Sequence, residues 1–386
     1  MKILKIIFAN ALRHKLRTTL TILGIAIAVI AFGVLRTVVT VWDSSVDAAA
    51  ANRLITRQAV SFIFPLPYAY KEKIKNVEGV KEVSFANWFG GVYKDKNNFF
   101  TRICVDADTY FDVLPEFIIS PEELENFKKE RNACVIGQEI AVQYNLKLGD
   151  QMVLEGDIFP GQWEFVVRGI YKPKNKNTDD TQMLFHWDYI NERMKAEAPL
   201  RAGSVGWYIV QIENPNDAAE VSEKIDALFK NSSAETKTET EKAFTQGFVA
   251  ASSAIITAMN FMSFVIIGII MLVLANTMIM AARERTREYA VLKTLGFSAF
   301  HIIGLILGES LVIALIGGGI GIALTYPIVA GFEQAMPKGF FPFFYIEPIT
   351  TILALSAAII IGILASIFPI QRALKTNIVD GFRFVG

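Results

Sequence analysis

Four long apolar runs divide the chain: residues 19–42, 261–282, 300–326 and 348–370, none holding more than one Asp, Glu, Lys or Arg. Each is near or above the roughly 20 residues a helix needs to cross a bilayer. Between the second and third, residues 283–296 read Arg-Glu-Arg-Thr-Arg-Glu-Tyr-Ala-Val-Leu-Lys-Thr-Leu-Gly, which predicts a charged helix of about four turns. Tyr289, Leu292 and Leu295 recur at spacings of three, while Arg283, Glu284 and Arg287 gather elsewhere, so one face can dock and another stay wet. Gly296 supplies the left-handed C′ residue that stops this helix, and Ser298 is a candidate N-cap for the next. A helix this short between two spans cannot itself cross the membrane.

The pattern differs on either side of the first run. Before it, Ile3, Ile7 and Ala11, with Leu4, Phe8 and Leu12, share one side of a helix and basic residues the other, as in an interfacial elbow. After it, residues 44–58 lack Gly and Pro and are rich in Ala, so the first spanning helix is expected to continue outward as a stalk. Residues 58–64 and 80–86 read as strands with a helix at 67–76 between them, and 207–212 and 217–229 as a strand and a helix. These two β-α pieces are expected to form one lobe, with the strand-rich residues 87–203 inserted as a second. Polar residues 232–242 then give way to residues 243–282, which carry no charge. As a helix this stretch would reach about 60 Å, roughly twice the hydrocarbon thickness, so the second spanning helix is also expected to extend above the membrane.

Composition fits an integral membrane protein: of 386 residues 52% are hydrophobic, yet 20% are charged, so the charge must be segregated. The formal net charge is zero, and nothing in it points to nucleic acid. Basic residues concentrate in residues 1–18, in 283–293 and at Arg372, Lys375 and Arg383, whereas the loop 330–347 has only Lys338. Both termini and the charged helix are therefore expected inside, and residues 43 to 240 outside. A cleaved signal peptide, with Ala48 to Ala51 mimicking a cleavage site, is the rival reading of the first run. The apolar core is too long for that, and Trp42 sits where an interfacial anchor belongs. The fold class that follows is an α-helical membrane protein with four transmembrane helices and an α+β extracytoplasmic domain of two lobes inserted between helices 1 and 2.

Candidate chemistry is sparse. Glu309 lies inside the third run, where a carboxylate costs on the order of 2.5–3.5 kcal/mol near the centre and less toward an interface. It is expected to be partnered or protonated within the bundle, and a structural partner is preferred to proton transport because no second buried acid accompanies it. Gly304, Gly308, Gly317 and Gly321 allow close helix approach. Phe340, Phe341, Phe343, Phe344 and Tyr345 read as an aromatic belt, with contact to an apolar substrate as the alternative. There is no G-x-x-x-x-G-K-S/T phosphate loop, so ATP hydrolysis by that route is not expected of this chain. His14, His186 and His301 lie on separate segments, without metal-ligand spacing, and no catalytic residue or metal site is assigned. Cys104 and Cys134 both fall in the outer segment, as a disulfide pair or as two buried thiols; the sequence leaves both open.

Residues 10–27, 285–296, 309–321 and 369–383 together resemble the permease subunits of MacB/FtsX-type ABC transporters, which include the lipoprotein-extracting Lol permeases. Residues 285–296 are similar to the family's coupling helix, with Tyr289 where an isoleucine is usual, and the tail has Asn377 where proline is frequent. Residues 135–141, 148–150 and 166–170 are similar to parts of the MacB-type periplasmic core domain. Each motif is weak alone; their order, spacing and topology make the resemblance specific over nearly the whole chain.

The resemblance divides the chain into an elbow helix (1–18), transmembrane helix 1 (19–42), a stalk and core domain (43–240, inserted lobe 87–203), and a stalk with transmembrane helix 2 (241–282). The coupling helix (283–299), transmembrane helix 3 (300–329), an outer loop (330–347), transmembrane helix 4 (348–370) and a cytoplasmic tail (371–386) follow. It implies a non-catalytic permease of the bacterial inner membrane, dimeric with a second copy or a paralogue, embedded in lipid and bound to cytosolic ATPase subunits that hold ATP and Mg. A periplasmic adaptor is an optional further partner. ATP-driven closure of the ATPases would press on Arg283, Arg285, Arg287, Glu288, Tyr289, Leu292, Leu295 and Gly296 and move the outer domain, a mode called mechanotransmission. The substrate would be amphipathic: a lipid, lipoprotein, peptide or drug. The alternative is an FtsX-like relay that switches a cell-wall hydrolase.

Overall fold

The computed structural model describes residues 2–47, 49–96, 99–335 and 344–375, which form two compact units. One is helical and holds residues 2–40, 253–333 and 344–375; the other holds residues 41–252, inserted in the sequence of the first, with residues 334–335. The helices that lead into, out of and beyond the sheet are α1 (Lys2–Ala11), α2 (Lys15–Asp47), α3 (Glu241–Ala251, part of the inserted unit), α4 (Ser253–Glu284), α5 (Thr286–Thr294), α6 (Ala299–Ala335) and α7 (Pro348–Lys375). Of these α2, α4, α6 and α7 are long and apolar enough to cross a membrane. The chain is thus an α-helical membrane protein with an α+β domain between its first two spans.

Glycines set the packing of the helical unit. A Cβ on Gly317 of α6 would lie 2.8 Å from Ile25 Cβ of α2, and one on Gly321 would lie 2.7 Å from Val29 Cβ. Only a bare backbone permits this approach. Gly308 meets Ile7 of α1 in the same way, at 2.6 Å. Gly304 does not join this face: nothing lies within 4 Å of its would-be Cβ, because it opens on the groove described below. Across the bundle, the Ser310 hydroxyl donates to the Gly362 carbonyl at 2.6 Å, tying α6 to α7. Phe344, expected in an aromatic belt, is 2% exposed and buried in this unit; Phe340, Phe341 and Phe343 lie outside the described residues, as do Ala48, Lys338, Asn377 and Arg383.

With 33 residues, α2 is about 50 Å long, well beyond a hydrocarbon core of about 30 Å. It ends at Asp47, short of the stalk expected through residue 58, because Arg53–Gln58 is a strand hydrogen-bonded on both sides. Alanine-rich sequence favours helix locally, but two ladders of backbone hydrogen bonds around Leu54, Ile55 and Thr56 outweigh that preference. The return path is not one helix either: α3 stops and α4 starts at Ser252, whose backbone (φ −96, ψ 7) leaves the helical region.

The inserted domain is built on one eleven-stranded sheet. Its main strands are β1 (Arg53–Gln58), β2 (Val80–Trp88), β3 (Val92–Tyr93), β4 (Thr101–Val105), β5 (Ala133–Gly137), β6 (Gln151–Gly156), β7 (Gly161–Pro173), β8 (Gln182–His186), β9 (Trp207–Ile212) and β10 (Thr236–Thr240). They lie in the order β10-β1-β9-β2-β4-β8-β5-β7-β6-β3, with Phe117–Ile118 paired to β7; β4–β8 and β5–β7 are parallel and the rest antiparallel. The two expected lobes therefore share a single sheet, joined where Ala86, Asn87 and Trp88 pair with Val105, Cys104 and Ile103. Cores cover both faces, one around Phe85, Phe165, Phe185 and Trp187 and the other around Ile55, Val105, Phe127 and Ile209. The edge strand β10 falls in a stretch read as merely polar; its threonines at 236 and 238 turn to Asp226 while Lys237 and Glu239 turn away.

The sheet also decides the cysteines. Cys104 on β4 and Cys134 on β5 flank β8, each opposite Phe185, so two strand spacings, about 10 Å in all, separate them, more than a disulfide can bridge. Both are buried free thiols.

At the base of the sheet Arg53, 3% exposed, joins three segments. Its Nε donates to Glu241 Oε2 at 2.7 Å, at the first residue of α3, and its Nη1 to Glu116 Oε2 at 2.8 Å and to the Val113 carbonyl at 3.2 Å. Ala50 N–H adds a bond to Glu241 Oε2 at 3.0 Å.

Candidate functional site

The helix between the second and third spans is shorter than its charge pattern predicts. It is α5, Thr286–Thr294, and α4 runs on to Glu284. Arg285 lies between them with φ −103 and ψ 14, although its N–H still reaches the Ala281 carbonyl at 3.2 Å. The Thr286 hydroxyl, 2.8 Å from the Arg283 carbonyl and 3.3 Å from that of Ala282, bonds back into the preceding turn, and such back-bonding bends helices. The stop is as expected: Gly296 has φ +84, Phe297 N–H donates to the Leu292 carbonyl at 3.0 Å and Gly296 N–H to that of Lys293 at 3.1 Å, the Schellman arrangement. Ser298 precedes α6, but its hydroxyl meets the His301 ring nitrogen at 2.7 Å instead of a free backbone N–H.

Side chains then hold α5 in place. Arg285 Nη1 donates to Glu309 Oε2 at 2.8 Å, and its Nε to Glu288 Oε2 at 2.8 Å. Arg13 donates to the other Glu288 oxygen. Beside this line, Arg17 Nη2 contacts both oxygens of Glu284, at 2.7 and 2.9 Å, and His14 lies 3.4 Å from the same carboxylate. Lys293 Nζ donates to the carbonyls of Ala373 and Leu374, both at 3.0 Å, capping the end of α7. Burial works to raise the Glu288 carboxyl, but hydrogen bonds from Arg285 and Arg13 hold it below the usual carboxylate range. Burial likewise opposes the charge of Arg285, yet Tyr289, Glu288 and Glu309 together keep it above the ordinary guanidinium value.

Two expectations about this helix change. Arg285 is 8% exposed and points inward at Glu309, so it is the partner that Glu309 required and not a surface contact. Tyr289, Leu292 and Leu295 do not form one face: Tyr289 is 2% exposed, Leu292 half-buried and Leu295 70% exposed. A spacing of three leaves each residue about 60° short of a full turn, so residues six apart diverge by about 120°. Arg283 and Arg287 are exposed. Arg13, Arg17 and Lys293 were not read as site residues, although the basic cluster at 13–17 opposite Glu284 and Glu288, two acids four residues apart, carried the necessary charge complementarity.

What remains open is a groove of about 930 Å³ between α1, α5 and the start of α6, with Ile6, Asn10, Val291, Leu292, Phe300 and Arg287 on its walls. Phe300 is 84% exposed at its rim.

Residues 18–228 match the MacB-like periplasmic core domain family and residues 260–378 the FtsX-like permease C-terminal family. The chain belongs to the MacB/FtsX-type ABC transporter permease family. This permease is 24% identical over 405 residues to an uncharacterised ABC transporter permease of Methanocaldococcus jannaschii, covering 97% of this chain and 96% of that one. It is also 24% identical over 398 residues to the macrolide export ATP-binding/permease protein MacB of Shewanella sp. (strain ANA-3), covering 95% of this chain but only 58% of that protein. Among solved structures, the periplasmic region of MacB from Actinobacillus actinomycetemcomitans aligns at 13% identity with TM-score 0.39, over 53% of this permease and 95% of that chain.

Proposed function

We propose that the permease couples ATP hydrolysis by a separate cytosolic ATPase to movement of its inserted domain, and so exports or extracts an amphipathic substrate on the outer side of the membrane. The observation that carries this reading is α5 with its groove: a short helix braced by Arg285 and Lys293 that leaves Val291, Leu295 and Phe300 uncovered. The excess of Lys and Arg in residues 1–18 and 283–293 supports a cytosolic position for it. There it offers apolar contacts rimmed by Arg287, the chemistry of a protein interface. The chain has no phosphate-loop motif, so ATP and Mg belong to the partner in this reading.

The long helices supply the reach. α2 exceeds the hydrocarbon thickness by about 20 Å. Phe248 of α3 and Ile255 of α4, 70% and 59% exposed, are each uncovered apolar side chains and support contact with a second copy or a paralogue. Relatives named macrolide export ATP-binding/permease proteins favour export of a drug-like compound. The test is copurification from native membranes in mild detergent: an ATPase recovered with the unaltered permease and lost with Leu295→Arg supports the reading, and recovery unaffected by Leu295→Arg overturns it.

A further inference from the structure

Besides the Arg13–Glu288 bond to the turn before α2, two routes lead from α5 toward the inserted domain. The covalent one runs along α4 and α3, and it leaves helical geometry twice, at Arg285 and at Ser252. The other crosses between side chains. Arg285, 8% exposed, is held at 2.8 Å by Glu309 of α6, which is 6% exposed. Farther along α6, Gly317 and Gly321 seat against Ile25 and Val29 of α2, and Thr325 fills the notch at Gly33, where a Cβ would lie 2.7 Å from Thr325 Cγ2. α2 then continues as helix to Asp47.

We infer that displacement of α5 reaches α2 across the Arg285–Glu309 pair and the glycine face of α6, and not along the covalently continuous α4–α3 path, which makes Arg285 and Glu309 positioning residues for coupling. The inference rests on the coupling function proposed above. A buried ion pair is directional: tilting α5 either carries α6 with it or breaks the pair and strands two charges away from water. The Gly317 and Gly321 contacts leave no room for α6 to approach α2 further, so a displaced α6 pushes α2. Residues outside helical geometry, by contrast, are where chains absorb backbone rotation, and the covalent path has one at each end of α4. The line Arg13–Glu288–Arg285–Glu309 also binds the elbow side of the unit to the same pair, so α1, α5 and α6 move as a group.

The test uses the permease copurified with its ATPase in lipid nanodiscs. The readout is the change in backbone hydrogen exchange over Arg53–Gln58 between the nucleotide-free and the ATP–vanadate-trapped complex. A flexible Gly-Ser insert after Ser252 is expected to leave that change in place, and the same insert after Ser44 to abolish it. The paired substitution R285M/E309L removes both charges of the buried pair and leaves Glu288 to Arg13; in complexes that still copurify with the ATPase it is expected to lose the exchange response, and the swap R285E/E309R to recover part of it. An undiminished response in R285M/E309L, or a response abolished by the Ser252 insert and spared by the Ser44 insert, overturns the inference alone. No response in the unaltered complex overturns the coupling function and this inference with it.

Discussion

Arg53 offers the sharpest test of how the start of α3 is tied to the sheet. Replacing it with Met removes a guanidinium that contacts Glu116 and Glu241 at 2.7–2.8 Å and leaves both carboxylates facing a hole. Breaking one side of a buried pair costs about 3–5 kcal/mol; since Glu116 and Glu241 keep 23% and 21% of their exposure, the low end, about 3 kcal/mol, applies. For a unit of this size each kcal/mol shifts Tm by about 2–4 °C, so the domain should melt about 6–12 °C lower. Burial opposes the Arg53 charge, but the two glutamates raise its pKa above the ordinary value. Its stabilising effect is therefore complete below the unfolded arginine value and fades only as pH rises through the still higher folded one, so the deficit should be flat across neutral pH. Four of the five tryptophans, Trp88, Trp163, Trp187 and Trp207, lie in the strands and helices between residues 53 and 240, so intrinsic fluorescence on heating reads the sheet directly. The triple variant R53M/E116Q/E241Q should recover most of the loss, because replacing all partners strands no charge. A Tm for R53M within about 1 °C of the unaltered protein would refute the reasoning.

Further expectations follow from the helical unit and the sheet. Glu288→Lys sets a cation against Arg285 and Arg13 and should cut substrate-stimulated hydrolysis and export together; unchanged values for both would count against the network. Because the Glu288 pKa is depressed, its contribution is present above about pH 4.3 and lost as pH falls through the lower folded value, so the helical unit of E288Q should differ from the unaltered one near neutrality and converge with it in acid. Gly317→Leu or Gly321→Leu should cost about 1–3 kcal/mol or more by overpacking against Ile25 or Val29, whereas Gly304→Ala, with open space around it, should leave heat stability in detergent unchanged. Burial pushes both cysteine thiols up in pKa, so neither should react with maleimide in the folded protein at neutral pH, and reduction should not change its mobility on a gel.

The features legible in the sequence were those set by composition over a long window or by one residue's backbone. Four apolar runs became four spanning helices, and Gly296 stopped α5 because only its φ of +84 allows the Schellman bonds. Glu309 was legible as a carboxylate in need of a partner. The identity of that partner was not, since Arg285 is 24 residues away and was read as a coupling residue facing the ATPase. The bend at Arg285 turns on Thr286, a residue equally at home in a straight helix. Likewise β1 and β10 look alanine-flanked or polar by themselves, and become strands only because they pair with each other and with β9. The join of two lobes into one sheet depends on the pairing of β2 with β4, which no single stretch announces.

Leu295 gives the most direct test of the central claim. It is 70% exposed at the C-terminal end of α5, and the two native cysteines are buried, so Leu295→Cys introduces a uniquely reactive thiol. In membrane vesicles that retain the ATPase, a maleimide–diazirine crosslinker attached to Leu295→Cys should on irradiation insert into the ATPase, while the same treatment of Leu200→Cys, fully exposed in the inserted domain, should not. An ATPase adduct at Leu200→Cys and none at Leu295→Cys would contradict the account.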